Sequence, residues 1–143
     1  MLEVTTDPAR INLGRVHAWI SRETYWAAQM PRATFDRAVR GSLCFGALND
    51  GDTVGFCRVI SDRATFAYLS DMFVDPTCRG LGISKAMMEA IVAHPDLQDL
   101  RRWLLVTADA HGLYARYGFE PLAAPNRIME RRDPEVYQRV AAH

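Results

Sequence analysis

The chain has 143 residues, 49% of them apolar and 24% charged, which is room for one domain with a real core and hardly for two. Lysine and arginine total 17, as do aspartate and glutamate, so the formal charge is zero. That balance argues against a protein gripping nucleic acid through its phosphates, and no apolar run is long enough for a membrane span.

The first segment, Met1 to Asp7, lacks the basic and apolar regions of a signal peptide, so the expected location is the cytoplasm. Residues 2–6 alternate weakly and predict a short strand. From Ile11 to Arg22 the apolar residues Ile11, Val16, Trp19 and Ile20 recur at helical spacing. Pro31 followed by Phe35, Ala38 and Val39 predicts a second helix ending near Gly41. Then come three strands: Leu43 to Leu48, Val54 to Ile60 and Thr65 to Val74. Asn49-Asp50-Gly51-Asp52 and Ser61-Asp62-Arg63 are the turns between them.

After Asp75-Pro76 and a glycine-bearing loop, Lys85 to Val92 predicts a helix that stops before Pro95. Trp103 to Thr107 reads as a buried fifth strand. A short helix capped by Asp109 runs to Tyr117 and closes on Gly118. Phe119 to Leu122 and Arg127 to Glu130 read as two last strands, and Asp133-Pro134-Glu135 opens a terminal helix. The order β-α-α-β-β-β-α-β-α-β, with a terminal helix, predicts a single α/β (α+β) domain over residues 1–143. Its mixed sheet is antiparallel early and crosses over by a helix late. Cys44, Cys57 and Cys78 are far apart and the histidines scattered, so no metal site is predicted and the thiols are expected to be reduced.

Arg79-Gly80-Leu81-Gly82-Ile83-Ser84 is the segment with chemistry. A strand, a turn with two glycines and a helix N-terminus expose backbone N–H groups toward an anion, and Arg79 and Lys85, the only lysine, add charge. The P-loop pattern is not met. A dinucleotide loop would need a third glycine where Lys85 stands. A glycine turn with no ligand is the plain alternative.

Phe73-Val74-Asp75-Pro76-Thr77-Cys78-Arg79-Gly80-Leu81-Gly82-Ile83-Ser84 resembles the pyrophosphate motif of the GNAT acyltransferase superfamily, with Ser84 in place of the final glycine or alanine. Ala110-His111-Gly112-Leu113-Tyr114-Ala115-Arg116-Tyr117-Gly118-Phe119 resembles its second motif at every fixed position. The likeness runs from the first strand through Leu122. Tyr25-Trp26-Ala27, Cys44-Phe45-Gly46 and the segment from Ala64 to Leu69 are similar to a group of small bacterial members, which implies no substrate.

The resemblance implies a GNAT-like fold with splayed central strands and flanking helices. It also implies acetyl-CoA as cofactor and direct acetyl transfer to a primary amine, of a small molecule or a peptide, in a ternary complex. The cofactor site would comprise Met72, Phe73, Val74, Arg79, Gly80, Leu81, Gly82, Ile83, Ser84, Lys85 and Tyr114. Backbone N–H groups near Phe73 and Val74 would polarise the thioester carbonyl. Tyr114 matches the superfamily's general acid, the alternative being a packing role.

Asp71 is the leading candidate for the base, since aspartate is disfavoured inside a strand. A hydrogen bond to loop backbone is its alternative role. By strand alternation Asp71 shares a face with Leu69 and Phe73, and Phe66, Tyr68 and Ser70 share that of Val74, unless a β-bulge changes the register. Tyr68 and Ser70 could relay a proton through water. Tyr25 and Trp26 would sit over the acceptor, with Phe66, Tyr68 and Ser70 as further contacts, or else belong to the core or a dimer contact. His111 could reach the cleft or be solvated, and Thr107 stands where many members carry asparagine. Exposed strands near the C-terminus would allow a homodimer. The rival reading is a module that holds acyl-CoA without turnover, and a nucleotide-dependent enzyme using the same loop is a third.

Overall fold

The computed structural model describes residues 1–141. Strands β1 (Leu2–Thr5), β2 (Leu43–Asn49), β3 (Asp52–Ser61), β4 (Phe66–Val74) and β5 (Arg102–Leu104) form a five-stranded sheet in sequence order. The first four are antiparallel, β2–β3 and β3–β4 through short hairpin turns and β1–β2 across residues 6–42. The β4–β5 pair is parallel, and its connection carries a helix, as a crossover requires.

Helix α1 (Leu13–Glu23) is capped by the Asn12 side chain on Arg15 N–H and buries Val16, Trp19 and Ile20 from one stripe. Helix α2 (Arg32–Arg40) buries Phe35 and Val39, and Gly41 closes it. Both pack on one face of the sheet, where Ile11, Trp19, Phe35, Phe56 and Phe73 meet. Helices α3 (Ile83–Ala93) and α4 (His111–Ala115) cover the other face, against Phe45, Cys57, Val59, Ala67 and Leu69. Phe35, Phe45, Phe56, Met87 and Met88 are fully buried; each such side chain stabilises the fold by about 1.5–3 kcal/mol through loss of apolar surface to water. Cys44 and Cys57 are buried free thiols, and burial pushes both thiol pKa values up, Cys44 to about 11. No helix among the described residues is long and apolar enough to cross a membrane.

Three expectations need correction. β5 stops at Leu104, Trp103 and Leu104 are only half-buried, and Val106 is 79% exposed. The chain after Leu104 has left β4, so it gains no ladder. The strands expected at Phe119–Leu122 and Arg127–Glu130 do not form. Pro121 removes a donor from the first, and Pro125 to Arg127 is a 3-10 turn leading into exposed Ile128 and Met129. Asp109 does not cap α4, because Ala110 is the cap position. The Thr107 hydroxyl instead accepts from Ala110 N–H at 3.0 Å. Helix α5 (Val136–Ala141) follows a turn in which Asp133 accepts from Glu135 N–H and pairs with Arg139.

Candidate active site

β4 is paired with β5 only from Phe66 to Tyr68. Beyond Tyr68 the two chains diverge, and a cleft of about 1050 Å3 opens between Leu69–Val74 and residues 105–107. Tyr114, Leu113 and Ala110 line it from α4, and Gly80, Gly82, Ser84 and Lys85 line it from the loop and first turn of α3. Asp75 N–H donates to Val54 O at 2.8 Å on the β3 side, and Phe73 pairs opposite Phe56. By antiparallel alternation the intervening Val74 turns its N–H and C=O to the open edge. There the Val74 carbonyl accepts from Arg79 Nε at 3.3 Å.

The loop is built around two glycines in the left-handed region. Gly80 has φ +83° and Gly82, the residue before α3, φ +79°. A Cβ built on either meets nothing within 4 Å, so the backbone is open to a large ligand from that side. The first intrahelical bond of α3 is Ala86 N–H to Gly82 O, so the N–H groups of Ile83, Ser84 and Lys85 have no helical acceptor, and no side chain caps the helix. Asp75 braces the loop by accepting from Thr77 N–H and Thr77 Oγ1, both at 2.9 Å, and from Arg15 at 2.6 Å. Those bonds, the Thr77 N–H foremost, hold its carboxyl pKa below the ordinary value despite its burial.

A register shift between β3 and β4 falls between Phe56–Phe73 and Arg58–Ser70, with Asp71 in the extra position at φ +58°. The bulge corrects the expected faces. Ala67 and Leu69 point to α3 and α4 before it, and Met72 and Val74 do so after it, while Phe73 packs with α1. Asp71 is therefore on the α1 side with Tyr68, Ser70 and Phe73, and Val74 is opposite. There the Asp71 carboxylate accepts from Arg58 Nε at 2.7 Å and from Trp26 Nε1 at 3.0 Å. Arg58 also reaches Ser42 Oγ at 3.0 Å and Ser70 Oγ at 3.3 Å.

Tyr114 is buried, and its ring stands edge-on to Phe119 with centroids 6.1 Å apart. Burial, with Cys57 and Asp109 adding to it, pushes its phenol pKa up to about 12, so the hydroxyl keeps its proton throughout the neutral range.

Of the residues singled out from sequence, Tyr25, Trp26, Tyr68, Ser70, Asp71, Met72, Phe73, Val74, Arg79, Gly80, Gly82, Ile83, Ser84, Lys85 and Tyr114 all line this one cleft. Leu81 projects outward, 67% exposed. Phe66 lies at the paired end of β4 and lines a separate cavity of about 690 Å3 with Arg101, Arg102 and Arg127. His111 is exposed and does not line the cleft. Sequence reasoning missed Glu23, Glu130 and Arg132 at the cleft mouth and Arg58 behind it. For Arg58 a signal existed: a lone cation between Cys57 and Val59 in an apolar strand needs a buried partner.

The acetyltransferase (GNAT) domain family matches residues 40–121, from the end of α2 past the loop and α4. The chain belongs to the GNAT family of acetyltransferases. A crystal structure of a candidate GNAT acetyltransferase from Xanthomonas campestris pv. campestris is 54% identical over 96% of both chains, with a TM-score of 0.93. A curated candidate acetyltransferase of Gibberella zeae is 29% identical over 136 residues, covering 79% of this chain and 75% of that one. A predicted acetyltransferase with acetyl-CoA from Clostridium acetobutylicum shares the fold, with a TM-score of 0.60, 18% identity and coverage of 92% of this chain and 96% of that one. The GNAT family takes acetyl-CoA as its acyl donor.

Proposed function

We propose that this GNAT enzyme moves an acetyl group from acetyl-CoA to a primary amine by direct attack, with both held in the cleft at once. The observation that carries this reading is that an open strand edge, a glycine loop at a helix start and a buried phenol share one cleft. When bound, the cofactor supplies an acetyl group already activated as a thioester.

The residues present fit it. The N–H groups of Ile83, Ser84 and Lys85, the two glycines and the Arg79 and Lys85 side chains form an anion cradle. The unpaired edge of β4 offers backbone donors and acceptors to an extended chain of amides. The Val74 N–H is placed to polarise a carbonyl at that edge. Tyr114 Oη holds a proton that it can give to a departing sulfur, and its buried ring limits water at that point. At the other end Tyr25, Trp26, Tyr68 and Ser70 frame the acceptor, and the hydroxyls of Tyr68 and Ser70 offer its proton a route to water. Both Asp71 oxygens are engaged, which gives that residue a holding part instead of the base role expected from sequence.

An assay of acetyl-CoA consumption against polyamines, amino acids, aminoglycosides and peptides tests the reading. Turnover with at least one amine supports it. No turnover despite tight acetyl-CoA binding supports a module that only holds the cofactor. Calorimetry in which ATP or NAD binds and acetyl-CoA does not would overturn both.

A further inference from the structure

Asp71 has more around it than strand pairing requires. It is a non-glycine residue at φ +58°, its side chain is 1% exposed, and its two oxygens face two different donors. A desolvated ion pair is a poor way to gain stability, so what this one fixes in place is informative. Backbone in this region tends to persist where the surroundings enforce it, often beside a functional site.

What Asp71 fixes is Trp26. The indole lies in the irregular connection between α1 and α2, 45% exposed and lining the cleft, with Tyr25 edge-on at 5.1 Å. Its Nε1–H bonds the buried carboxylate. Arg58 holds the far side of that carboxylate and is itself tied to Ser42 and Ser70. A connected set of hydrogen bonds therefore runs from the end of α2, through β3 and the bulge of β4, to a side chain on the cleft wall. Charge-assisted bonds of this kind fix orientation more firmly than neutral ones.

We propose that Asp71, backed by Arg58, is a positioning residue that holds the Trp26 indole as a rigid wall of the acceptor pocket, making Trp26 a determinant of which amine is used. The proposal rests on the acetyltransferase reading above. The favoured acceptor is an alkyl amine arriving as its ammonium ion, since an aromatic face beside the Tyr68 and Ser70 hydroxyls suits a cation that must then shed a proton.

The test uses the full-length, 15N-labelled protein. The sequence has three tryptophans, Trp19, Trp26 and Trp103, and Trp26→Phe identifies the Trp26 indole resonance. Asparagine tolerates the left-handed backbone of residue 71, but its amide nitrogen cannot accept from Arg58. In Asp71→Asn the Trp26 indole N–H is expected to shift and to exchange with water at least about 10-fold faster, with Trp19 and Trp103 unchanged. Asp71→Gly relaxes the backbone while deleting the carboxylate, and must release Trp26 too, so the test survives if the asparagine variant misfolds.

With 1,4-diaminobutane and a lysine-containing peptide as probes, Asp71→Asn and Trp26→Phe are expected to raise the amine KM about 10-fold or more. kcat should change by less than about 3-fold, and KM for acetyl-CoA should stay the same. A Trp26 resonance that keeps its shift and exchange rate in Asp71→Asn and Asp71→Gly would overturn the proposal. So would a kcat loss of about 100-fold in Asp71→Asn at unchanged amine KM, with Trp26→Phe behaving as wild type, since Asp71 would then be the base. If the wild type neither acetylates an amine nor binds acetyl-CoA, the transferase reading falls, and the indole exchange rate still decides the clamp.

Discussion

The Arg79 guanidinium carbon lies 5.3 Å from the centre of the Phe73 ring while its Nε bonds the Val74 carbonyl, so the loop's arginine is seated on the strand it follows. Phe73 meets Trp19 at 5.5 Å between ring centres, and Arg15, which pairs with Asp75, lies 5.2 Å over Trp19. Two cations and two rings thus form one stack from α1 to the glycine loop. A planar guanidinium suits this place better than an ammonium does. Arg79→Lys should weaken acetyl-CoA binding about 3- to 10-fold by calorimetry. Phe73→Leu should do so less, with a loss of stability of about 1 kcal/mol in urea.

Gly82→Ala tests the loop backbone, because no atom stands where the new Cβ would go and the cost is conformational alone. Unfolding stability should drop by about 1–2 kcal/mol and the acetyl-CoA Kd should rise about 10-fold or more. Gly112→Ala is the control: this glycine lies in α4 with open space around it and no positive φ. It should gain about 0.5–1 kcal/mol in the same urea titration.

Tyr114→Phe removes the hydroxyl and keeps the ring. Turnover should fall by about 100-fold or more, while acetyl-CoA binds within about 2-fold of wild type. An unchanged kcat would reduce Tyr114 to a packing residue. The variant also has a pH signature. Burial raises the folded-state pKa to about 12 from an ordinary value of 10, so the stabilisation is fully present below pH 10 and is lost as pH rises through 12. Wild type should therefore lose stability in that alkaline window more steeply than Tyr114→Phe, as read by chemical denaturation at fixed pH.

Asp75 titrates with the opposite sign. Its folded pKa is depressed from 3.8, so its contribution is present above that value and is lost as pH falls through the folded pKa. Asp75→Asn should unfold at lower temperature than wild type at pH 7, with the gap closing below about pH 4. A gap that stays constant down to pH 2 would show that the charge of Asp75 plays no part.

The antiparallel strands, the five α-helices and the glycine turn before the third of them were legible from local signals. Asp50-Gly51 at a turn, Pro31 at a helix start and the spacing of Val16, Trp19 and Ile20 each act within a few residues. Tyr114 and the loop could be placed in one site because both segments resemble motifs of the same superfamily, in its order. What failed was long-range. Trp103 to Thr107 reads as a strand by composition, but its pairing depends on where β4 diverges. Phe119 to Leu122 contains Pro121, a warning that outweighs its apolar ends. The side of the sheet that Asp71 faces could not be read from alternation, since one unpaired residue reverses it. Arg58 and Trp26 needed tertiary contacts before they meant anything.

The bulge makes β4 two half-strands spliced out of phase. Up to Leu69 the odd-numbered residues face α3, and from Met72 the even-numbered ones do. Without the extra residue the halves would fall into step with Tyr68, Ser70 and Phe73 still on the α1 side, and what would be lost is the carboxylate that meets Trp26 and Arg58. The extra residue therefore serves the Asp71 contacts and not the faces of its neighbours, and side-chain identity can drift in each half separately. Any redesign of the cleft wall has to keep two alternation patterns, one on each side of Asp71.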